Sequence, residues 1–70
     1  MKVTITTKNG VTVNGKVTYL GSHTIAFDAK LSANEADQLA KEGANVSELG
    51  FKEWHVQIPR YILETYELAD

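Results

Sequence analysis

The chain has 70 residues, no cysteine, two histidines and a formal net charge of −2. That length points to a single domain, 1–70, and the missing cysteines exclude disulfides, thiolate zinc sites and a cysteine nucleophile. An apolar share of 43 % and a charged share of 23 % are those of a folded chain, and no apolar run approaches the ~20 residues that span a bilayer.

The first thirty residues read as strands. Apolar and β-branched residues alternate in Val3-Thr4-Ile5-Thr6-Thr7 and again from Val11 to Tyr19, the period-two pattern of a half-buried strand. Two Asn-Gly pairs compete for the first turn. Alternation runs through Gly15 without a change of phase, so the turn is placed at Lys8-Asn9-Gly10 and Gly15 is read as a bend or bulge. Residues opposite one another in an antiparallel pair share a face. A three-residue loop satisfies this rule, pairing Thr7 with Val11 and Ile5 with Val13, with Gly10 left-handed. The same parity predicts a three-residue loop at Gly21-Ser22-His23, with Tyr19 opposite Ile25, Val17 opposite Phe27 and Lys16 opposite Asp28. His23 then takes the left-handed position.

After Asp28 the period changes. Ser32-Ala-Asn-Glu35 is a capping box, Ala33, Ala36, Leu39 and Ala40 recur at helical spacing, and Gly43 is a C-terminal stop. A helix over about 32–42 follows. Asn45-Val-Ser-Glu48, ending at Gly50, predicts a single helical turn anchored by Val46 and Leu49. Trp54, Val56 and Ile58 then alternate with Glu53, His55 and Gln57 as another strand, which Pro59 ends. The tail Arg60–Leu68 fits a helix through Ile62, Leu63 and Tyr66, or a strand through Ile62, Tyr66 and Leu68. A 3₁₀-like turn near Pro59–Leu63 followed by a short strand is preferred. One core should gather Val3, Ile5, Val13, Val17, Ile25, Phe27, Leu39, Trp54, Val56 and Ile58.

This order of elements is similar to that of SH3-like and Sm-like small β-barrels. The local match runs from Asn9-Gly10 through Val13, Gly15 and Val17 to the Gly21 turn and Phe27, laid out as in the first sequence block of Sm-like proteins. The resemblance implies an α+β chain: a five-stranded, partly open SH3-like barrel with one helix inserted between strands three and four. It does not bring RNA binding with it. The aspartate of the Sm turn is Gly21 here, and the polar RNA-contacting residue has no counterpart among His23, Thr24 and Ile25.

Catalytic parts are scarce. His23 falls at a hairpin tip and His55 on the outer side of its strand. The serines occupy turns and caps, and none of the glycines belongs to a phosphate-binding loop. No enzyme activity, cofactor or metal is expected. Charge is divided along the chain: residues 1–30 carry Lys2, Lys8, Lys16 and Lys30 against Asp28 alone, whereas carboxylates dominate 31–70.

The leading expectation is therefore a non-catalytic binding module that works through protein–protein contact or self-association at a sheet edge. Arg60, Tyr61 and His55 are its candidate contact residues. The free edges expected are Thr24–Asp28 and the strand near Tyr66–Leu68. A weak nucleic-acid binder using Lys2, Lys8 and Lys16 is the alternative, and a small inhibitor from a phage or mobile element is a third reading. No membrane association is expected, and the expected location is cytoplasmic.

Overall fold

A computed structural model describes residues 1–70 as six strands, one α-helix and one 3₁₀ turn. The strands are β1 (Lys2–Thr7), β2 (Thr12–Leu20), β3 (Thr24–Lys30), β4 (Asn45–Gly50), β5 (Glu53–Pro59) and β6 (Leu63–Ala69). Helix α1 (Ala33–Glu42) lies between β3 and β4, and the 3₁₀ turn Arg60–Ile62 joins β5 to β6. All strands belong to one antiparallel sheet in the order β4-β5-β3-β2-β1-β6. This is an α+β arrangement. The sheet has six strands where five were expected, and it does not close into a barrel, because β4 and β6 each have one unpaired side.

The first hairpin forms in the expected register. Ile5 faces Val13 and Thr6 faces Thr12, the Thr7 amide donates to the Val11 carbonyl at 2.9 Å, and Gly10 has φ +88°. The second hairpin differs from expectation. Lys16 faces Asp28 and Val17 faces Phe27 as predicted, but Tyr19 faces Ala26 and Leu20 faces Ile25. A bulge at Thr18 adds one residue to β2 and changes the pairing parity. The chain then turns through Ser22-His23, closed by a 2.9 Å bond from the Gly21 amide to the Thr24 carbonyl. His23 does not adopt a positive φ, so the left-handed residue expected there is not needed.

Gly15 marks a close approach rather than a turn. A β-carbon there would stand 2.4 Å from Cδ2 of the fully buried Phe27 and 2.8 Å from the Asp28 carbonyl. The absence of a side chain lets β2 bend over the largest residue of the core.

Helix α1 has the caps its sequence calls for. The Ser32 side chain accepts from the Glu35 amide at 3.2 Å, Glu35 accepts from the Ser32 amide at 3.0 Å, and Gly43 ends the helix with φ +113°. Its buried face is narrow, consisting of Ala36 and Leu39. The segment Asn45–Gly50 is a strand, β4, and not the helical turn expected. Its weak capping signal yields because Val46 pairs with Val56 and packs against the core. A bulge leaves Leu49 out of register between Glu48, opposite Trp54, and Gly50, opposite Glu53.

One core cluster joins both hairpins, the helix and the 3₁₀ turn. Eight of the ten expected core residues are buried, whereas Val17 and Trp54 pack against the cluster and remain half-buried. The Trp54 Nε1 donates to the Leu31 carbonyl at 3.1 Å, which satisfies its polar atom while the ring covers the core's margin. Pro59 ends β5, and the tail forms the 3₁₀ turn and strand preferred from the sequence. Because only this short turn joins β5, near one side of the sheet, to β6 on the other, the sheet coils around its core.

Candidate functional site

The two free strand edges differ in protection. Strand β6 carries Glu64 and Glu67 and is followed by Asp70, charges that discourage pairing with another strand. Strand β4 has Glu48 as its one charged residue. Beside it Leu49 is 56 % exposed, and Phe51, in the β4–β5 turn, is 88 % exposed. Lys52 in that turn has φ +58° and places its ammonium 5.3 Å from the Phe51 ring centre. The expected edge Thr24–Asp28 is instead interior, since β3 pairs with β2 on one side and β5 on the other.

A groove of about 450 Å³ runs between α1 and β4. The helix contributes Ala33, Ala36 and Ala40, and the sheet contributes Val46 and Trp54, with Asn34 and Asp37 at the rim. The alanine stripe creates this space: small side chains keep the helix surface low beside a free strand. The sequence displays that stripe, but its value as a groove depends on β4 being a strand, which local pattern did not reveal.

Two of the residues expected to contact a protein are engaged within the fold. Arg60 Nε donates to the Gly21 carbonyl and Nη1 to the Tyr66 hydroxyl, each at 2.8 Å, and its guanidinium lies 5.0 Å from the Tyr66 ring centre. The Arg60 amide also donates to the His23 carbonyl at 2.9 Å. Arg60 therefore clamps the β2–β3 turn to β6. His55 Nδ1 lies 2.7 Å from Asp28 Oδ1 across β5 and β3. Ser47 faces His55 from β4 but shares no hydrogen bond with it, so Ser47, His55 and Asp28 form a polar cross-strand row. Tyr61 is 72 % exposed at the 3₁₀ turn, near the end of α1. The structure does not bring these three residues together on β4.

The lysines expected to contact nucleic acid also separate. Lys2 and Lys16 face one another across β1 and β2. Lys8 follows the opposite end of β1, about 20 Å away by strand rise, and its amide donates to the Ile62 carbonyl. Lys30 joins Lys2 and Lys16 instead, around a concavity of about 560 Å³ near Gly15. Its two-residue spacing from Asp28 is the sequence signal that could have placed it there. No helix is long and apolar enough to cross a membrane.

Comparison with protein families, with curated proteins and with solved structures finds no match to this chain.

Proposed function

We propose that the protein is a non-catalytic binding module that takes an extended segment of a partner protein as an additional strand on β4. The observation that carries this reading is the conjunction of a free, weakly guarded edge with an apolar groove alongside it. An added strand gains affinity from main-chain hydrogen bonds, and alternate side chains supply specificity by entering neighbouring pockets. Here every second side chain of the incoming strand would enter the groove lined by Ala33, Ala40, Val46 and Trp54. The intervening side chains would face the side of the sheet that carries Ser47 and His55. Leu49 and Phe51 provide exposed apolar surface at the end of the track.

The fold implied by this reading is an SH3-like small barrel with one added strand. Without β4, the order β5-β3-β2-β1-β6, with a 3₁₀ turn before the last strand, is similar to the arrangement of such barrels. The intracellular setting expected from the cysteine-free composition suits a module of this kind.

Selection from a library of displayed extended peptides tests the reading. Binders should alternate apolar and polar residues, slow hydrogen exchange at β4 amides, and lose affinity to Ala40→Leu, which fills the groove. Binders indifferent to Ala40→Leu, or protection confined to β6, would overturn it. Sedimentation equilibrium at roughly 100 μM detects weak association. Association that Leu49→Lys abolishes would identify a second copy as the partner.

A further inference from the structure

The concavity at the Gly15 bend lies apart from β4 and has a different chemistry. Its lining includes Lys2, Asn14, Lys16, Lys30, Asp28 and Glu53. All three lysines are exposed. The molecule's one lysine–carboxylate ion pair is Lys41–Asp37 at 3.1 Å, and His55 Nδ1 hydrogen-bonds with Asp28 Oδ1 at 2.7 Å, so no lysine of the concavity is paired. Asp28, which faces Lys16, is instead held by His55 on its other side, and Glu53 faces Lys30 without forming an ion pair. Lys2 and Lys16 are direct cross-strand neighbours, an arrangement in which like charges oppose folding. The Asn14 Oδ1 accepts from the Thr4 hydroxyl at 2.7 Å. That bond orients the amide and leaves its two N–H donors without an internal partner.

We propose that this concavity binds the phosphate group of a ligand, which Lys2, Lys16 and Lys30 neutralise while Asn14 donates a hydrogen bond. A phosphate seated among the lysines would relieve the repulsion between Lys2 and Lys16 that the free protein sustains. This goes beyond strand addition at β4 and uses none of the groove residues, so either proposal can fail without the other. The phosphate could come from a free phosphate compound or from a nucleic-acid backbone, and a separate arm of the experiment distinguishes these sources.

Inorganic phosphate is titrated at low ionic strength while backbone amide shifts are followed. Saturable shifts should concentrate at residues 14–16 and 28–30. They should disappear in Lys16→Gln/Lys30→Gln and persist in the controls Lys8→Gln and Lys41→Gln. Lys2→Gln should raise the thermal midpoint in phosphate-free buffer and remove the increase that phosphate produces in the parent protein. A short single-stranded oligothymidylate forms the second arm. If a nucleic-acid backbone is the source, it binds more tightly than phosphate, with a log–log salt slope of about −2 for three neutralised charges. Equal, weak binding of both probes assigns the site to free phosphate compounds. Shifts spread over every lysine, or unchanged in the double variant, would overturn the proposal.

Discussion

Gly15 and Arg60 each hold two parts of the chain in a geometry that few other residues permit. At position 15 the obstacle to a side chain is the buried Phe27 ring and the rigid Asp28 carbonyl. Gly15→Ala should therefore destabilise the protein by about 1–3 kcal/mol, the usual cost of overpacking, read as a lower urea midpoint with unchanged slope. Arg60 acts through bonds that its own half-buried side chain makes to Gly21 and Tyr66. Arg60→Ala removes two charged hydrogen bonds and a cation–π contact, and should cost about 2–4 kcal/mol. Tyr66→Phe should cost less, because the bond to Gly21 survives. Hydrogen exchange should locate the Arg60→Ala effect at the β2–β3 turn and β6. Arg60 and its neighbour Tyr61 stood out in the sequence as contact candidates, since these residue types favour interfaces; Tyr61 is exposed, whereas Arg60 turns inward to Tyr66. The same chemistry serves an internal clamp equally well, and only the folded position of Gly21 distinguishes the two uses.

Among the elements, α1 is the most self-contained. Both halves of its capping box are formed, and a left-handed glycine ends it. Ser32→Ala should destabilise the protein by about 1 kcal/mol, whereas Ser32→Asp should retain most of the stability because its carboxylate can accept the same bond. Chemical denaturation of the two variants checks this contrast. Strand β4 is the opposite case. Its local sequence carries a helical capping signal, and its strand conformation depends on β5 offering an unpaired edge and on Val46 packing beside Val56. The second hairpin shows how an element can satisfy two competing patterns. Alternation requires Val17 opposite Phe27, while a tight turn at Ser22-His23 requires the other parity, and the Thr18 bulge accommodates both.

At the scale of the whole molecule, one small core supports every element. A domain of this size buries only about 60 % of the surface its unfolded chain exposes. Total stability near 0.05–0.15 kcal/mol per residue amounts to roughly 4–10 kcal/mol here. Phe27 lies at the centre, with Gly15 bent over it, Val17 opposite on β2 and Val56 opposite on β5. Phe27→Ala should cost about 3–5 kcal/mol, enough to leave much of the population unfolded near 37 °C. A thermal melt by circular dichroism would show this as a depressed midpoint. Val17→Ala, at a half-buried site, should shift the midpoint less.

Contacts between residues close along the chain are legible in the amino-acid pattern. The first hairpin and its Gly10 turn, the capped helix and the 3₁₀ turn before the final strand all follow from periodicity, turn chemistry and capping. Each is specified by residues that are neighbours in sequence. The Lys16–Asp28 and Val17–Phe27 pairs form as expected, but through a shorter turn offset by the Thr18 bulge. Tertiary structure decided the sixth strand, the half-burial of Trp54, the interior place of β3 and the gathering of Lys30 with Lys2 and Lys16. It also decided that His55 holds Asp28 across two strands. These outcomes depend on which backbone edge lacks a partner and which distant strand supplies one. A period-two pattern says which way a side chain points, but it does not name the strand beside it. Both candidate sites arise at such junctions, the groove between α1 and β4 and the concavity formed by the bend of β2 with the ends of β1, β3 and β5.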